Sequence, residues 1–412
     1  MRRHVTGVSR LLAAPGPGLA DHLAHLDAYS DAPTDEIPTA PGDLISLITR
    51  AGLSGRGGAG FPTGRKMAAI TGKRPVVVGN GAEGEPLSRK DATLLRRAPH
   101  LVLDGLDAAA RAVGADAVHL YVPAEVAAVV AEALAERRAA GLRTRRVAVV
   151  EAPDRFVAGE ESAVIRRIEG GPALPRDRTA VSAVAGVRGR PTLVNNVETL
   201  AHIALISRFG SDWFRSVGDP DDPGTMLVTL SGVLDPVVVE VPTGVLITDL
   251  LARTADTGVA VPHAVLIGGY HGTWLRAEEL TSVRLSRTAL GPLGAAPGAG
   301  IVHALDRSQC GLRRTAEITA YLAGQSARQC GPCLNGLPRL AGLLDELATG
   351  AAGADPVPEI HRLAGLVDGR GSCRHPDGTA RMVRSALRTF ADEVELHRHG
   401  HCCLMGAPVA GG

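Results

Sequence analysis

A glycine-rich segment, residues 55–66 (GRGGAGFPTGRK), most strongly constrains what this chain can fold into and bind. Without side chains, the backbone of such a loop can wind tightly and bring its N–H groups close to a flat or anionic ligand. Phe61 interrupts the glycines and Lys66 closes the segment with a positive charge. The segment predicts a site for a nucleotide-like molecule, and the alternative is a mobile surface loop.

The segment also matches the pattern G-x-G-x-x-G at Gly55, Gly57 and Gly60. The dinucleotide fingerprint requires a strand before this pattern and a helix after it. Residues 43–51 (DLISLITRA) instead carry apolar residues at helical spacing. We therefore predict that the loop does not belong to an ordinary Rossmann unit.

Length and composition narrow the class of protein. A chain of 412 residues corresponds to two to four domains, and a net charge of +1 does not indicate a nucleic-acid-binding surface. The chain contains no apolar run of about 20 residues and no signal-peptide pattern, so we expect no membrane insertion and a cytoplasmic protein.

Six cysteines are concentrated in the last quarter of the chain. Six are too few for a disulfide scaffold in a chain of this length, and in a reducing compartment such a concentration indicates a metal or redox site. They are Cys310, Cys330, Cys333, Cys373, Cys402 and Cys403.

Predicted strands and helices alternate between residues 75 and 151. Strands over 75–80, 117–122 and 146–151 are separated by helices over 99–113 and 125–140. This alternation predicts a mainly parallel sheet covered on both faces, with ligands at the carboxyl ends of its strands. Asn195 and Asn196 precede an apolar helical run and indicate a helix N-terminus.

The pattern changes twice in the second half. Residues 225–310 are β-rich and predict a small α+β module. From residue 312 the leucines and other apolar residues recur at intervals of three and four, which predicts a four-helix bundle. The predicted organisation is a loosely packed lead-in over 1–42 with a helix near 21–29, an α/β domain over 43–222, the module over 223–311, the helical domain over 312–396 and a His/Cys tail over 397–412.

Four motifs in this order resemble those of the family of flavoprotein (51-kDa, or F) subunits of NADH:quinone oxidoreductase and of its relatives in NAD-linked hydrogenases and formate dehydrogenases. The motifs are GRGGAGFPTG at 55–64, PLSRKD at 86–91, GEES at 159–162 and RGRPTLVNNVETLA at 188–201. The resemblance implies an FMN-binding α/β domain, an SLBB-like β-grasp domain and a helical iron-sulfur domain.

The resemblance also implies a reaction, in which NADH delivers a hydride to FMN and single electrons pass to a [4Fe-4S] cluster. Phe61 takes the position that stacks on the adenine of NADH, Phe156 takes that of a tyrosine beside the nucleotide, and Glu161 lies towards the nicotinamide. The implied catalytic carboxylates are Glu83 and Glu161. The implied cofactor-binding residues are Gly55, Arg56, Gly57, Gly58, Gly60, Phe61, Lys66, Asn80, Glu83, Glu85, Phe156, Gly159, Glu160, Glu161, Val194, Asn195 and Asn196.

The chain departs from the family pattern around the nucleotide. Ala82 replaces an aspartate of the acidic loop, and Ala69 and Val181 replace phenylalanines that clasp the adenine. The loss of two aromatic partners costs about 1–3 kcal/mol of binding, which corresponds to a roughly ten- to hundredfold weaker affinity for NADH.

The cluster motif departs as well. The family has E-S-C-G-x-C-x-P-C with a distant fourth cysteine, but Ala327 replaces the first cysteine here. The implied ligands are Cys330, Cys333 and Cys373, and a cubane takes four. The fourth position is open to Cys310, His375, His401, Cys402 or Cys403. A three-iron or labile cluster, a zinc ion and a site without metal are the alternatives.

The resulting hypothesis is an oxidoreductase that passes electrons from NADH through FMN and an iron-sulfur cluster to a redox partner protein. The partner is a thioredoxin-like [2Fe-2S] subunit or a ferredoxin. One alternative uses the same cofactors with ferredoxin or another donor, and a second is a non-catalytic scaffold of the same fold. Simpler roles are first-turn helix acids for Glu160 and Glu161, a buried small hydrophobe for Cys310 and an exposed tail for Cys402 and Cys403.

Overall fold

The computed structural model describes residues 9–27, 41–142, 145–177, 181–232, 235–255, 262–350 and 355–404. The helices are α1 (Leu19–Asp27), α2 (Pro41–Ala51), α3 (Thr63–Ala68), α4 (Lys90–Arg97), α5 (Pro99–Ala112), α6 (Ala124–Ala139), α7 (Glu161–Ile168), α8 (Ser182–Ala185), α9 (Val197–Arg215), α10 (Ile247–Ala255), α11 (Arg287–Leu290), α12 (Gly311–Gln325), α13 (Leu337–Thr349), α14 (Val357–Val367), α15 (His375–Thr389) and α16 (Ala391–Arg398). The strands are β1 (Val76–Asn80), β2 (Ala117–Pro123), β3 (Val147–Ala152), β4 (Thr192–Asn196), β5 (Gly218–Asp219), β6 (Asp222–Pro223), β7 (Thr225–Ser231), β8 (Val237–Pro242), β9 (Ala264–Ile267), β10 (Thr273–Arg276) and β11 (Ile301–Leu305).

The first sheet is parallel throughout, with the strand order β3-β2-β1-β4. Because both faces are covered, β1 begins with three consecutive valines: Val77 joins the core that contains α5 and α9, while Val76 and Val78 join the core that contains α7. Helices α5 and α9 cross closely at Gly105, where an added Cβ would overlap the carbonyl oxygen of Leu200. The predicted parallel sheet is confirmed.

The order of this sheet creates a crevice between β1 and β4. The chain moves from β1 outward to β2 and β3 and then returns to place β4 on the other side of β1. Such a reversal opens a crevice at the carboxyl ends of the two strands, where ligands bind in open α/β sheets. Asn80 pairs in register with Asn196, and Gly79 with Asn195, so these asparagines lie at that edge.

A second sheet of five strands follows in the order β10-β9-β11-β7-β8. It is mixed, because β11 runs parallel to β7 while the other neighbours are antiparallel. Val228, Leu230, Val265 and Val302 of this sheet pack in one core with Leu250 of α10. The turn between β9 and β10, residues 268–272, contributes to the cavity at the first sheet's crevice.

The described part of the lead-in is more tightly packed than its composition predicts. Leu11 is fully buried, and the backbone N–H groups of Arg10, Leu11 and Leu12 donate to the carboxylate of Glu240 in β8. The expectation of a loosely packed lead-in is therefore wrong for residues 9–12. Helix α1 matches the predicted short helix, while residues 1–8 and 28–40 lie outside the described part.

Among the described residues, the helical region contains α12, α13, α14, α15 and α16, one helix more than the predicted four. The apolar stripes face inward, because Leu340, Leu344 and Leu347 share a buried core with Val383 and Leu387. Trp274 of β10 belongs to the same core and so joins the second sheet to the helices. Of the residues that the structure describes, none forms a helix long and apolar enough to cross a membrane.

Candidate functional site

A cavity of about 780 Å³ opens at the crevice between β1 and β4. Its volume falls within the range of pockets that enclose small ligands. All of the predicted cofactor-binding residues except Arg56 and Glu83 line it. These lining residues are Gly55, Gly57, Gly58, Gly60, Phe61, Lys66, Asn80, Glu85, Phe156, Gly159, Glu160, Glu161, Val194, Asn195 and Asn196.

The glycine loop forms one wall of the cavity. The N–H of Gly55 donates to the carbonyl of Phe61 over 3.0 Å and closes the loop on itself. Gly60 has a φ of 63° and leaves room for the guanidinium of Arg287, which an added Cβ would overlap. A side chain at this position would be strained by the left-handed conformation and would displace the guanidinium of Arg287.

Arg56 does not line the cavity but stabilises the glycine loop from the side that faces away from it. Its buried guanidinium donates to Asp222 over 3.1 Å and to the carbonyl of Pro223 over 3.1 Å. Its backbone N–H donates to the hydroxyl of Thr199 over 2.8 Å. The structure thus places this predicted binding residue at the support of the loop.

Lys66 connects three segments of the crevice. Its ammonium donates to Oε2 of Glu161 over 2.9 Å and to the carbonyl of Val194 over 2.6 Å. The other oxygen of Glu161 accepts from the hydroxyl of Ser182. The two charged side chains are about one quarter exposed, so the positive charge still faces the cavity.

The three asparagines of the crevice differ in what they bond. Asn80 donates to the carbonyl of Gly159 over 2.9 Å, and Asn196 donates to Asp91 over 2.7 Å while its oxygen caps α9. Asn195 is 5% exposed, and its amide nitrogen has no hydrogen-bond partner among the described residues. A buried donor without a partner costs about 1–3 kcal/mol, so this amide is oriented for a ligand.

Glu85, and not Glu83, carries the carboxylate of the acidic loop into the cavity. Glu83 accepts from the backbone N–H groups of Asp91 and Ala92, each over 3.0 Å, and from the hydroxyl of Ser88, so it caps the start of α4. Glu85 accepts from the N–H of Tyr270 over 2.8 Å. Burial raises the pKa of Glu85 to about 7, although this hydrogen bond opposes the shift.

Glu160 and Glu161 have different partners at the start of α7. Glu160 is the N-cap residue, and its carboxylate accepts from the N–H groups of Ser162 and Ala163. Glu161 is the first helical residue and pairs with Lys66. Glu160 thus acts as an acidic residue that stabilises the first turn of the helix. Glu161 has in addition a specific cation partner.

The opposite wall of the cavity comes from the second sheet and the helical region. The sequence motifs did not identify its residues as ligand-binding, although the tight turn at 268–272 is visible as a run of glycines. Arg374 and Arg381 add positive charge at one side. The residues of this wall are Gly268, His271, Gly272, Thr273, Arg287, Gly294, Ala295, Ala296, Gly298, Ala299, Arg374 and Arg381.

Phe156 lies between the cavity and the helical region. Its ring centroid is 4.6 Å from that of His271 and 5.5 Å from that of His375. The two imidazoles form a hydrogen bond of 3.1 Å, and Nε2 of His375 lies 2.8 Å from the carbonyl oxygen of Leu322. His375 closely follows Cys373 in the chain, so this aromatic group connects the cavity to the cysteines.

The aromatic positions around the predicted adenine site are open to solvent. Phe61 is 50% exposed, and the guanidinium of Arg65 lies 5.6 Å from its ring centroid. Val181 is 64% exposed and Ala69 is also exposed. The described residues thus offer Phe61 as one aromatic face for a base.

The cysteines form two groups at opposite ends of α12. Cys330 and Cys333 follow its C-terminal end, and Cys373 lies near that end because His375 contacts Leu322. Burial, together with the neighbouring thiols of Cys330 and Cys373, raises the pKa of Cys333 to about 12. These three thiols are therefore neighbours, and they supply three of the four ligands of a cubane.

Cys310 precedes the N-terminal end of α12, and Cys402 and Cys403 are grouped with it. A helix of 15 residues is about 22 Å long. Cys310, Cys402 and Cys403 are therefore wrong as candidates for the fourth cluster ligand, and so is His401, which adjoins Cys402. His375 stays near Cys373, with both ring nitrogens in hydrogen-bonding contact.

Comparisons with known proteins agree with this geometry. The family model described as the Nuo51 FMN-binding domain matches residues 48–205, and the iron-sulfur binding region of NADH-ubiquinone oxidoreductase-F matches residues 313–397. The F subunit of NADH-quinone oxidoreductase from Streptomyces coelicolor is 33% identical over 382 residues, which cover 88% of this chain and 85% of the relative. The HndC subunit of the NADP-reducing hydrogenase from Solidesulfovibrio fructosivorans is 29% identical over 377 residues, which cover 87% and 76%.

A solved structure extends the likeness to the whole fold. The crystal structure of NAD+-reducing [NiFe]-hydrogenase in the H2-reduced state matches with a TM-score of 0.81 and 30% identity. The match covers 91% of this chain and 66% of that hydrogenase chain, so this chain spans somewhat less than two thirds of its length.

The residues present fit FMN. The glycine loop leaves backbone exposed beside the crevice, the buried amide of Asn195 lacks a partner among the described residues, and Lys66 presents a positive charge. For the iron-sulfur region the donor set is three thiols, with Ala327 at the position of the fourth. By sequence, fold and site, the chain belongs to the family of the FMN- and iron-sulfur-binding F subunits of NADH-quinone oxidoreductases.

Proposed function

We propose that this chain takes electrons from NADH at a bound FMN and passes them through an iron-sulfur cluster to a redox partner protein. The observation that carries the proposal is the cavity between β1 and β4, which gathers the glycine loop, Lys66 and the amide of Asn195. FMN, when bound, supplies the conversion of one hydride transfer into two single-electron transfers.

Residues of this chain bind and orient the flavin in this proposal. Asn195 would supply its unpartnered amide as a donor to bound FMN, which would remove the desolvation cost of the amide. Lys66 adds a charge-assisted donor and is itself oriented by Glu161. The glycine loop lets the ring system approach the backbone.

Glu85 is the carboxylate that we propose to tune the reacting centre. It lines the cavity, is oriented by the N–H of Tyr270, and has a pKa raised to about 7 by burial. A carboxyl group that titrates near neutral pH can hold or release a proton beside a redox cofactor. Glu83 supports it indirectly by fixing the start of α4.

Phe61 presents one aromatic face to the adenine of NADH. Its half-exposed ring and the absence of an aromatic at Ala69 and Val181 predict a modest affinity, since stacking between two rings is lost. The walls of the cavity would then have to exclude water from the nicotinamide and the flavin.

Electrons leave the cavity, in this proposal, towards Cys373. Phe156, His271 and His375 are packed between the cavity and the cysteines without a gap in their ring contacts. Cys330, Cys333 and Cys373 hold the cluster, with a fourth ligand that is not a cysteine of the α12 N-terminal group. The cluster is therefore a labile four-iron or a three-iron form.

We also propose an assignment of the domains, the electron acceptor and the cellular setting. The mixed five-stranded sheet, with residues 223–311, corresponds to the SLBB-like β-grasp domain, and residues 312–396 correspond to the iron-sulfur domain as a helical bundle. Residues 43–222 form the FMN and NADH domain. The acceptor is a thioredoxin-like [2Fe-2S] subunit or a ferredoxin, and the setting is cytoplasmic.

The test is anaerobic isolation of the whole protein followed by addition of NADH. Bleaching of the visible flavin absorption by NADH supports the proposal. A flavin that dithionite reduces and NADH does not would contradict the NADH half, and isolation without stoichiometric flavin and iron would favour a non-catalytic scaffold.

A second candidate keeps the same cofactors and replaces the donor. The exposed Val181 and the alanine at position 69 favour it, because they weaken the adenine site. Reduction of the flavin by reduced ferredoxin, with none by NADH, would establish this alternative.

A further inference from the structure

Four potential metal ligands converge at the N-terminal end of α12. They are the thiols of Cys310, Cys402 and Cys403 and the imidazole of His397, and their ligand atoms all lie within 4.8 Å of one another. Sγ of Cys310 is 3.4 Å from Nε2 of His397. Cys310, His397 and Cys402 are buried, while Cys403 is partly exposed and leaves an entry path.

Two local structures bring these ligands together. Cys310 is the N-cap residue of α12, and its sulfur accepts from the N–H of Arg313. At the other side, Gly400 adopts a left-handed conformation with a φ of 73°, and the N–H groups of Gly400 and His401 donate back to His397 and Leu396. This Schellman-type ending turns the chain sharply after α16. The turn places Cys402 and Cys403 beside Cys310.

The donor set and its size suit a tetrahedral ion. In a zinc site with three thiolates and one imidazole, Zn–S bonds are about 2.3 Å and Zn–N bonds about 2.0 Å, so that ligand atoms are roughly 3.5–3.8 Å apart. The distances between the four ligand atoms here need to shorten by about 1 Å or less to reach that geometry. All four coordination positions are then filled by protein, which is the arrangement of a structural site.

This group is separate from the cysteines assigned to the iron-sulfur region. Cys330, Cys333 and Cys373 lie at the other end of α12, about 22 Å along the helix axis. Cys310, Cys402 and Cys403 also lie outside residues 313–397, which match the family's iron-sulfur binding region. The group therefore requires an explanation of its own.

We propose that Cys310, His397, Cys402 and Cys403 bind a zinc ion that fastens the segment after α16 to the start of α12. Binding releases one proton from each of the three thiols and forms three Zn–S bonds and one Zn–N bond. The ion closes a loop from residue 310 to residue 403 that contains α12, α13, α14, α15 and α16. Its role is structural, because no coordination position is left for a substrate.

The surroundings of the group fit this assignment. Burial raises the pKa of the Cys403 thiol to about 12 and also raises the pKa of the Cys310 thiol, so burial favours the protonated forms. A divalent ion reverses that preference, because it binds thiolates. The carboxylate of Glu393 accepts from the N–H of Gly311 over 2.8 Å and from the thiol of Cys310 over 3.3 Å, so it fixes the position of Cys310 at the start of α12.

The test compares metal contents of the full-length protein, isolated anaerobically from cells grown with zinc and iron. The wild-type chain is expected to carry about one zinc. Cys402→Ser and His397→Gln should lower zinc about tenfold or more and leave iron unchanged. Cys373→Ser is the matched control, and it should lower iron and leave zinc unchanged.

X-ray absorption at the zinc edge of the wild-type protein covers the case in which a variant fails to fold. Three sulfur ligands and one nitrogen ligand support the proposal. Zinc below about a tenth of an ion per chain, a disulfide among Cys310, Cys402 and Cys403, iron at these residues, or zinc that disappears in Cys373→Ser would each overturn it. None of these results depends on activity with NADH.

Discussion

The ammonium of Lys66 lies 2.9 Å from the carboxylate of Glu161 and 2.6 Å from the carbonyl of Val194. One side chain of α3, at the end of the glycine-rich segment, thus joins this segment to the start of α7 and to β4. The ion pair fixes the position of the ammonium but leaves it partly exposed, so it can still bind an anionic or polar ligand in the cavity.

Replacement of Lys66 by Met is expected to weaken FMN binding about tenfold or more, because a charge-assisted hydrogen bond contributes about 1.5–3 kcal/mol. The free energy of unfolding of the flavin-free protein should change by no more than about 1 kcal/mol, since the ion pair is partly exposed. Fluorescence titration with FMN measures the first and denaturant unfolding the second. Lys73→Met, at an exposed lysine, is the control, and equal affinity in the two variants would contradict the assignment.

Replacement of Asn195 by Ala should act in opposite directions on binding and on stability. FMN affinity should fall about tenfold, because the ligand loses a hydrogen bond worth about 1–1.5 kcal/mol. The flavin-free protein should keep or gain stability, since a buried amide nitrogen without a partner among the described residues is removed. Asn335→Ala, at an exposed position, controls for general effects. A loss of stability without FMN would show that the amide is structural.

The raised pKa of Glu85 predicts a specific pH dependence. Folding favours its protonated form, so between the ordinary pKa of 4.5 and the folded value of about 7 the native state binds more protons than the unfolded state. The contribution of Glu85 to the free energy of unfolding therefore decreases as pH rises through that window and is constant above it. Thermal unfolding of wild-type and Glu85→Gln proteins from about pH 4.5 to about pH 8 measures the difference. Parallel curves for the two proteins would refute the shift.

Replacement of Val181 by Phe should improve the site for NADH. The side chain is 64% exposed, so a ring can be added there without overpacking, and it would supply the aromatic wall that the family pattern has at this position. A gain of about 0.5–1.5 kcal/mol corresponds to a KM for NADH roughly two- to tenfold lower. Steady-state kinetics with an artificial acceptor measures it, and Val184→Phe, at an exposed neighbour, is the control. A KM that does not fall would mean that the adenine binds elsewhere.

Replacement of Ala327 by Cys should restore a four-thiolate cluster. Iron loss in air is expected to be several-fold slower than in the wild type, because every iron then has a thiolate ligand. Iron content followed over time in air, beside the EPR spectrum, measures the effect. Ala320→Cys, at an exposed position within α12, is a control that adds a thiol without completing the motif. Equal rates in all three proteins would contradict the assignment of the cluster site.

The sequence predicted the parts of the fold that depend on local pattern. The apolar runs of β1 and β2 and the asparagine cap of α9 follow from period and capping chemistry, and the structure confirms them. The ordered motifs also located one wall of the cavity. The role of Glu83 was harder to predict. Glu83 and Glu85 lie in the same acidic loop, and only the folded path of the chain shows that Glu83 caps α4.

Other features could not be read from the sequence because they depend on long-range packing. The second wall of the cavity comes from turns far beyond Glu85 in the chain, as the Glu85–Tyr270 hydrogen bond across 185 residues illustrates. Cys310 is separated by 87 residues from His397, and no local pattern links them. The buried lead-in likewise depends on Glu240, which has no sequence signal before the strands are paired.

The central claim, that NADH electrons reach the cluster through the flavin, is tested most directly by EPR of the anaerobic protein frozen after NADH addition. The account predicts the same iron-sulfur signal that dithionite produces, together with loss of the visible flavin absorption. A cluster signal with dithionite and none with NADH would contradict the claim.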